Sequence, residues 1–360
     1  MANQLKLAVA GSRKTQGIVE YCAQAPADRN ILVLTYTQAN QLELQERIFR
    51  YAGDRQRIQT MGWFTFLLRD FARPFLPFKL PGKRVKGFNF DGRPHRMATG
   101  EKRFLDSEDS VYACELGRLA NELISESKGA LIHRLECIYD EILIDEIQDL
   151  SSHDWSIVDV LFDTSIDIRM VGDIRQSVLS TNPRSSKNKR YKYAEVINWF
   201  RDRENDGVLE IIESNITWRC HTGIAEFSDT IFSAEWDFPK TDSKNNNTTG
   251  HDGVFIVREK HAEEYVKKFK PQCLRNSASS GKKYNFNFMN FKVSKGQTFE
   301  RVFIVPTKGI TDFLKANVLL EPTPAASFYV AVTRARQSVA ILVPNKGDFG
   351  LPVWEPYIYS

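Results

Sequence analysis

The sequence predicts an α/β protein with two domains, each a parallel β-sheet flanked by helices. Its 360 residues suffice for two domains of ordinary size. Short apolar runs alternate with segments of helical periodicity, which is the pattern of parallel strands buried on both faces. Hydrophobic residues make up 42% of the chain and charged residues 26%, so each domain can bury a core.

The first half of the chain supplies strands and helices in alternation. Apolar runs predict buried strands at Leu5–Ala10, Ile31–Thr35, Glu141–Ile144 and Ile168–Val171. Helical spacing predicts helices at Gln16–Ala25, Ala39–Tyr51, Trp63–Phe71 and Val111–Ser127. Pro74 and Pro77 are expected to end the third of these helices. Residues 78–100, rich in Gly, Pro, Arg and Lys, predict a loop or a small insertion.

The second half also alternates predicted strands and helices, although its sequence does not repeat that of the first half. Strands are predicted at Val254–Val257, Val302–Val305 and Val339–Val343, with a helix at Phe328–Arg336. The composition of residues 240–251 predicts a surface loop. We therefore expect a first domain over residues 1–208 and a second over residues 209–360.

The charge is only mildly basic, so its distribution is more informative than its sum. The 49 Lys and Arg against 45 Asp and Glu give a net charge of +4. Basic residues concentrate at Lys79–Arg96, where Asp91 is the only acid, and at Pro183–Tyr193, which has no acid. A solvated loop is the simplest interpretation of each cluster, and contact with a polyanion is the alternative.

Cysteine spacing and hydropathy exclude several classes. The five cysteines are far apart and form no zinc-ligand spacing, so neither a disulfide framework nor a zinc site is expected. No apolar run approaches the roughly 18 residues that span a bilayer, and no leader pattern opens the sequence. A cytoplasmic protein without a membrane partner is the expectation.

The residues Gly11-Ser12-Arg13-Lys14-Thr15 occupy the position of a phosphate-binding loop. They follow a predicted strand and open a helix, so backbone N–H groups and the positive helix end can meet a polyphosphate. Lys14 would reach the outer phosphates, and the Thr15 hydroxyl would bind Mg²⁺. Arg13 stands where a glycine usually precedes the lysine, and an ordinary turn is the alternative.

A carboxylate pair, Asp145-Glu146, ends the strand predicted at Glu141–Ile144. Ligands of open α/β sheets bind at the carboxyl ends of strands. In nucleotide hydrolysis the first carboxylate holds Mg²⁺, and the second can orient or deprotonate the attacking water. A solvated turn is the alternative for an isolated pair of this kind.

The order of short motifs along nearly the whole chain resembles the UvrD/Rep/PcrA type of superfamily 1 helicases. Besides the phosphate loop, these motifs are Leu34–Gln38, Thr60–Phe64, Asp145–Leu150, Val171–Ser177, Thr217–Arg219, Lys295–Phe299 and Val330–Arg336. The resemblance implies two RecA-like P-loop NTPase domains, with ATP in the cleft between them and single-stranded DNA across both. Short insertions are expected at about residues 73–139 and 235–284, which makes this a minimal form.

The resemblance also implies roles for residues in these motifs. Catalysis is assigned to Lys14, Glu146, Gln176, Arg219 and Arg334, and the metal to Thr15 and Asp145. The nucleotide is assigned to Gly11, Ser12, Arg13, Lys14, Thr15, Trp218 and Gly296. The nucleic acid is assigned to Thr35, Thr37, Thr60 and Phe64. The basic cluster adds Arg184, Lys187, Arg190 and Tyr191 as candidate contacts to nucleic acid on the basis of its own composition.

The third motif departs from the family pattern. Gln176 is followed by Ser177–Thr181, which lacks the aromatic residues that stack on DNA bases in the family. Base stacking contributes roughly 1–3 kcal/mol per base, so a weaker grip on the strand is expected. The cluster around Arg184 can compensate through phosphate contacts, with Tyr191 and Tyr193 as stacking groups.

Two functions of different classes remain. The first is an ATP- and Mg²⁺-dependent DNA helicase or translocase, acting on single-stranded DNA or duplex junctions in repair, recombination or phage defence. The resemblance implies movement from 3′ to 5′. The second is a nucleotide-gated DNA-binding or partner-binding switch that does not unwind by itself, favoured by the small size and by Arg13. A small-molecule kinase would not need Gln176, Arg219 and Arg334.

Overall fold

A computed structural model describes residues 3–182 and 187–356. The chain divides into two compact units. Unit 1 contains Met1–Leu7, Lys14–Gly172 and Ser180–Ile212, and unit 2 contains Ala8–Arg13, Asp173–Leu179 and Glu213–Ser360. The boundary expected between residues 208 and 209 stays a prediction.

Unit 1 is built on a six-stranded sheet with a separate strand pair. The strands are β1 (Asn3–Ala8), β2 (Ile31–Thr35), β3 (Ile58–Gly62), β4 (Gly87–Asn89), β5 (Ser110–Tyr112), β6 (Glu141–Ile144), β7 (Asp167–Gly172) and β8 (Leu209–Ser214). The large sheet has the order β3-β2-β6-β7-β1-β8, in which the first five strands pair in parallel. Strands β4 and β5 form their own parallel pair.

The helices of unit 1 pack on this sheet or on one another. They are α1 (Lys14–Gln24), α2 (Gln38–Ala52), α3 (Trp63–Phe66), α4 (Arg73–Lys79), α5 (Glu101–Phe104), α6 (Ala113–Glu126), α7 (Ala130–Ile138), α8 (His153–Phe162) and α9 (Val196–Asn205). One cluster joins Val19 of α1 and Leu44 of α2 to Val33 of β2, all fully buried. Every residue of β2 is buried, as a strand covered on both faces requires.

The helix expected at Trp63–Phe71 is longer than predicted. A π-helical segment, Leu67–Ala72, joins α3 to α4, and the helical path continues to Lys79. Pro74 does not end it, because this proline lies in the first turn of α4, where its missing N–H is not needed. Pro77 lies inside α4, close to the end of that helix.

Unit 2 is built on a second six-stranded sheet. Its strands are β9 (Ile216–His221), β10 (Asp242–Asn245), β11 (Gly253–Arg258), β12 (Gln272–Arg275), β13 (Phe288–Asn290), β14 (Phe299–Val305), β15 (Ala335–Val343) and β16 (Val353–Trp354). The sheet order is β13-β12-β14-β15-β11-β16, and every pairing in it is parallel. Strands β9 and β10 form a parallel pair outside this sheet.

The helices of unit 2 are α10 (Thr222–Asp229), α11 (Ala262–Phe269), α12 (Lys308–Ala316) and α13 (Pro322–Val332). The helix expected at Phe328–Arg336 ends at Val332, so Thr333 and Arg334 occupy the turn before β15. Residues 235–284 include β11 and β12, which pair with β15 and β14 inside the sheet, and the insertion expected at about these residues stays a prediction. Residues 240–251 are not all loop, since β10 lies within them.

Both units confirm the predicted fold class, two α/β domains with parallel sheets flanked by helices. The strands predicted at Ile31–Thr35 and Glu141–Ile144 have the predicted bounds. Across the described ranges, no helix combines the length and the apolar character needed to cross a membrane.

Candidate functional site

The loop after β1 carries a glycine and an arginine in left-handed backbone conformations. Gly11 has φ +77°, and a Cβ atom added there would lie 2.6 Å from Cβ of Arg219. Only glycine fits this position, since a side chain would meet both that clash and the unfavourable φ. Arg13 has φ 62°, so it adopts the conformation that the usual glycine would adopt.

The side chain of Arg13 stacks on Trp218 within unit 2. Its guanidinium carbon lies 4.2 Å from the centre of the indole ring, within the range of a cation–π interaction. The backbone N–H of Trp218 donates to the carbonyl of Gly11 at 3.0 Å, which ties the backbone at Trp218 to the loop. Trp218 is 48% exposed. The ring that the resemblance assigns to adenine therefore carries an arginine here.

Lys14 and Thr15 begin α1 in unit 1, beside the carboxylate of Asp145. The Thr15 hydroxyl donates to Oδ2 of Asp145 at 3.3 Å. Asp145 follows directly after β6 and is 3% exposed. Burial, and then repulsion from Glu146, raises the pKa of Asp145 to about 7, while the Lys14 charge acts in the opposite direction.

These groups fit a magnesium ion. Mg²⁺ prefers oxygen ligands and is commonly held by one or two protein groups, while phosphate and water complete its shell. Thr15 and Asp145 offer a hydroxyl and a carboxylate of this kind. Within the described residues no group of three His, Cys, Asp or Glu side chains forms a metal cluster. A cation beside Asp145 would offset the desolvation that raises the pKa of its carboxyl group.

Glu146 leaves the end of β6 in a left-handed conformation, with φ 54°. Its N–H donates to Oδ1 of Asp145 at 3.0 Å, and its carboxylate accepts a hydrogen bond from Nε2 of Gln148. The side chain is half-buried, so solvent water has access to it. A carboxylate in this position can orient or deprotonate a water molecule. Unit 1 thus brings together Lys14, Thr15, Asp145 and Glu146.

Gln176 and Arg334 are hydrogen-bonded to each other in unit 2. Nη2 of Arg334 donates to Oε1 of Gln176 at 2.8 Å, and Nε2 of Gln176 donates to Oδ2 of Asp173 at 2.7 Å. Arg334 also donates to the carbonyls of Val330 at 3.1 Å and Gln297 at 3.3 Å. All three of Arg334, Gln176 and Asp173 are buried. Arg334 is therefore not a surface arginine.

Tyr329 extends this network and was not identified from the sequence. Its hydroxyl donates to Oδ2 of Asp173 at 3.3 Å and accepts from the N–H of Ala10 at 3.4 Å. Burial raises the pKa of Tyr329 well above its usual value, so the hydroxyl stays protonated. The signal was present, since Tyr329 is a polar group within the apolar run just before Val330–Arg336.

Arg219 and Gly296 also belong to unit 2. Arg219 is half-buried, and its Nη1 donates to the carbonyl of Thr333 at 3.1 Å. This contact holds it in the same turn that carries Arg334. Gly296 has φ 86° and is exposed, in the segment that precedes β14. Unit 2 thus gathers Gly11, Arg13, Trp218, Arg219, Gln176 and Arg334.

The threonines assigned to nucleic acid have local roles in the structure. Thr35 is 1% exposed, and its buried hydroxyl has no hydrogen-bond partner within the described residues. Thr37 caps α2, because its Oγ1 accepts from the N–H of Asn40 at 3.1 Å. Thr60, in the middle of β3, and Phe64, in the first turn of α3, are half-buried.

In the basic cluster at Pro183–Tyr193, the position of Tyr191 differs from the expectation that this residue stacks on bases. Arg184 lies outside the described residues, and Lys187 and Arg190 are exposed. Tyr191 is buried, and its hydroxyl donates to Oδ2 of Asp202 at 3.0 Å. The guanidinium of Arg190 lies 4.5 Å from the centre of its ring. Tyr191 is therefore not exposed for base stacking, because packing on α9 takes up its ring.

The loop with Lys14 and Thr15 after β1, and the buried Asp145 after the parallel strand β6, form a pattern that is typical of phosphate-binding sites. Comparison with protein families gives one match within the chain. Residues 96–188 match the model of the UvrD/REP helicase N-terminal domain. This match covers about a quarter of the chain and contains Asp145, Glu146 and Gln176.

Two solved structures of Arterivirus nonstructural protein 10, a helicase, are similar to this chain. The structure of its complex with DNA has 14% sequence identity, a TM-score of 0.47, and coverage of 96% of this chain and 61% of that chain. A crystal structure of the same helicase has 15% sequence identity and a TM-score of 0.47, with coverage of 96% of this chain and 60% of that chain. The chain thus spans about three fifths of the length of these helicases. No curated protein matches it.

Proposed function

We propose that this protein is a UvrD-like ATPase that couples Mg-ATP hydrolysis to movement on single-stranded DNA, in the 3′ to 5′ direction. The observation that carries the proposal is the convergence of Lys14, Thr15, Asp145 and Glu146 in unit 1. The sequence match over residues 96–188 supports the helicase class. Repair, recombination or phage defence is the proposed setting.

Each group of unit 1 has a distinct role in the proposed hydrolysis. Lys14 neutralises negative charge on the outer phosphates. Thr15 and Asp145 hold the magnesium ion, which supplies charge neutralisation when bound. Glu146 orients the attacking water and accepts its proton, as its half-buried carboxylate beside Asp145 permits.

Unit 2 supplies the remaining groups. Arg219 and Arg334 carry the permanent positive charge that stabilises a transferring phosphoryl group. Gln176 is held between Arg334 and Asp173, so it can pass a change at the phosphate to the rest of unit 2. The buried hydroxyl of Ser12 has no partner within the described residues, and a phosphate oxygen would give it one.

The decisive experiment measures ATP hydrolysis with and without single-stranded DNA. We expect DNA to raise turnover severalfold, and Lys14→Ala to abolish it. Glu146→Gln should retain nucleotide binding but lose about 10²–10⁴-fold in turnover, the usual contribution of a general base. Glu264→Gln, at an exposed position of α11, is the matched control and should behave like the wild type. Undiminished turnover in Glu146→Gln would remove Glu146 from the mechanism.

The second candidate is a nucleotide-gated switch that binds DNA or a partner protein without unwinding. The stacking of Arg13 on Trp218 favours it, since an incoming base would have to displace the guanidinium from that face. Strand displacement by the purified protein separates the two candidates. Unwinding that requires ATP supports the motor, whereas ATP-dependent binding without displacement supports the switch.

A further inference from the structure

The segment between α4 and α5 contains two aromatic residues, Phe88 and Phe90, to which the proposed function gives no role. Phe88 lies in β4 and Phe90 follows that strand directly. Alternate residues of an extended strand point to the same side. The ring centres of Phe88 and Phe90 are accordingly 5.2 Å apart. This is the segment whose basic composition stood out in the sequence.

The chain of rings continues onto the sheet of unit 1. Phe90 meets Phe64 edge to face, with ring centres 5.8 Å apart and an angle of 84°. Phe64 lies 6.3 Å from the ring of Tyr36. These contacts are within the range of favourable aromatic pairs. We call Tyr36, Phe64, Phe88 and Phe90 the aromatic ladder.

The ladder lies at the edge of the sheet where ligands of α/β proteins bind. Tyr36 follows directly after β2, and Phe64 follows β3. Asp145 follows β6, which pairs in parallel with β2, so its carboxyl end faces the same edge. Ligands bind outside the carboxyl ends of parallel strands.

The exposed end of the ladder is held in place by hydrogen bonds. Strand β4 pairs with β5, and Nδ2 of Asn89 donates to Oδ2 of Asp106 at 2.7 Å. Oδ1 of Asn89 accepts from the N–H of Gly92. Phe90 nevertheless remains 62% exposed. An exposed ring on an ordered strand can bind a ligand with little loss of conformational entropy.

The same segment carries uncompensated positive charge. Asp109 and Glu101 form ion pairs with Lys83 and Lys86. Three exposed arginines form no ion pair or hydrogen bond within the described residues, and they are Arg84, Arg93 and Arg96. Asp91 is the only acid between residues 79 and 96. Exposed rings with free cations are the composition of surfaces that bind single-stranded nucleic acid.

We propose that the aromatic ladder is a base-stacking platform for single-stranded nucleic acid, with Phe90 as its exposed ring and the three arginines as phosphate contacts. The proposal rests on the proposed function, which names the kind of polymer bound. It extends the contact already expected at Phe64 to Phe88, Phe90 and the three arginines. It also explains how a chain without aromatic residues in Ser177–Thr181 holds bases. A protein partner is the competing occupant.

The test compares Phe90→Ala with Phe78→Ala, because Phe78 is 54% exposed on α4 and lies outside the ladder. Binding of a fluorescent oligothymidylate is measured by anisotropy without nucleotide. Phe90→Ala should weaken binding about 5- to 150-fold, the range that corresponds to one lost stacking contact. Phe78→Ala should bind like the wild type, and Phe90→Trp should retain most of the affinity.

Two further readouts separate binding from folding. Thermal melting of Phe90→Ala should stay within a few degrees of the wild type, because the ring is mostly exposed. Crosslinking to an oligonucleotide that contains 5-iododeoxyuridine should label Phe90 or Phe88. Arg93→Gln should lower the slope of log affinity against log salt by about 0.7, the value for one single-strand phosphate contact.

Several outcomes overturn the platform. Unchanged affinity in Phe90→Ala does so, as does equal weakening in Phe78→Ala. The platform is also overturned if the wild-type protein binds no oligonucleotide. It is overturned as well if Phe90→Ala keeps its affinity for the oligonucleotide and no longer binds a protein that copurifies with the wild type. Failure of the proposed function is distinct, because it is an absence of ATP hydrolysis. Oligonucleotide binding that depends on Phe90 would support the platform even then.

Discussion

Arg334 donates a hydrogen bond from Nη2 to Oε1 of Gln176 at 2.8 Å, and both side chains are buried. The other end of the Gln176 amide donates to Asp173, which fixes its orientation. The two residues are far apart in sequence, yet each restrains the other. Substitution of either residue should therefore alter the position of the other side chain.

Arg334 has a structural role that Arg219 lacks. In Arg334→Lys, the planar guanidinium that donates hydrogen bonds to two buried carbonyls and to Gln176 is lost. We expect the free energy of unfolding to fall by about 2–3 kcal/mol. The rate of ATP hydrolysis should fall about 10³-fold, which is the lower end of the range of rate effects of an arginine that stabilises a transferring phosphoryl group. Arg219→Lys should lower hydrolysis with little loss of stability, because Arg219 is half-buried and makes one contact to Thr333.

Urea denaturation and ATPase assays of the two variants provide the check. Equal destabilisation of both variants would contradict the structural difference between the two arginines. Unchanged hydrolysis in both would remove them from the proposed reaction.

Tyr329→Phe tests whether the tyrosine hydroxyl positions Asp173 and the loop at Ala10. The variant leaves a buried carboxylate short of one donor, so we expect about 1–2 kcal/mol lower stability. We also expect a severalfold higher KM for ATP, because the loop loses its contact to the hydroxyl. Tyr265→Phe is the matched control, since its buried hydroxyl contacts His251 elsewhere in unit 2. It should lower stability without changing KM.

Arg13→Gly should be tolerated and should strengthen nucleotide binding. Glycine removes the strain of a left-handed arginine, about 1 kcal/mol, and loses a cation–π contact of similar size. Stability should therefore change little, whereas the freed ring of Trp218 should bind the base several times more tightly. Tryptophan fluorescence titrated with ATP measures this. Arg13→Lys keeps a cation at this position, and weaker binding in Arg13→Gly than in Arg13→Lys would refute the expectation.

Asp154→Asn should stabilise the protein at neutral pH but not in acid. Burial in the first turn of α8 raises the pKa of Asp154 to about 6, above its unfolded value near 4. The folded state then binds the extra proton between these values, so the contribution of Asp154 to stability falls as pH rises from 4 to 6. It stays at its lowest value above that range.

The variant should thus match the wild type near pH 4 and exceed it by up to about 3 kcal/mol at pH 7. Urea denaturation at the two pH values measures the difference, with Asp28→Asn at an exposed position as the control. A gain of the same size at both pH values would show that the carboxyl group is not responsible.

The sequence predicted features that depend on local pattern. Ile31–Thr35 is a continuous apolar run, and such a run in a chain of alternating helices identifies a buried parallel strand. Asp145 and Glu146 were identifiable because they end such a strand. Lys14, Thr15, Asp145 and Glu146 all follow predicted strands in the sequence, and they lie close together in unit 1.

Features that depend on distant contacts were not predictable. Tyr191 has the composition of a stacking residue, but its contact with Asp202 buries it. Tyr329 acquires its partners from Ala10 and Asp173, far away in the sequence. The aromatic ladder likewise depends on the contact of Phe64 with Phe90, which are distant in the sequence, and no periodicity in the sequence signals that contact.

The composition of unit 2 limits how the chain can be divided. Ala8–Arg13 and Asp173–Leu179 belong to this unit although they precede its main segment, Glu213–Ser360. A cut after Ile212 therefore yields two polypeptides but not two folding units. The carboxyl-terminal fragment would lack Asp173 and Gln176, leaving Tyr329 and Arg334 without these partners. Unit 2 is formed by three separate stretches of one chain. A design that fuses, exchanges or splits the two units must therefore keep all three stretches together.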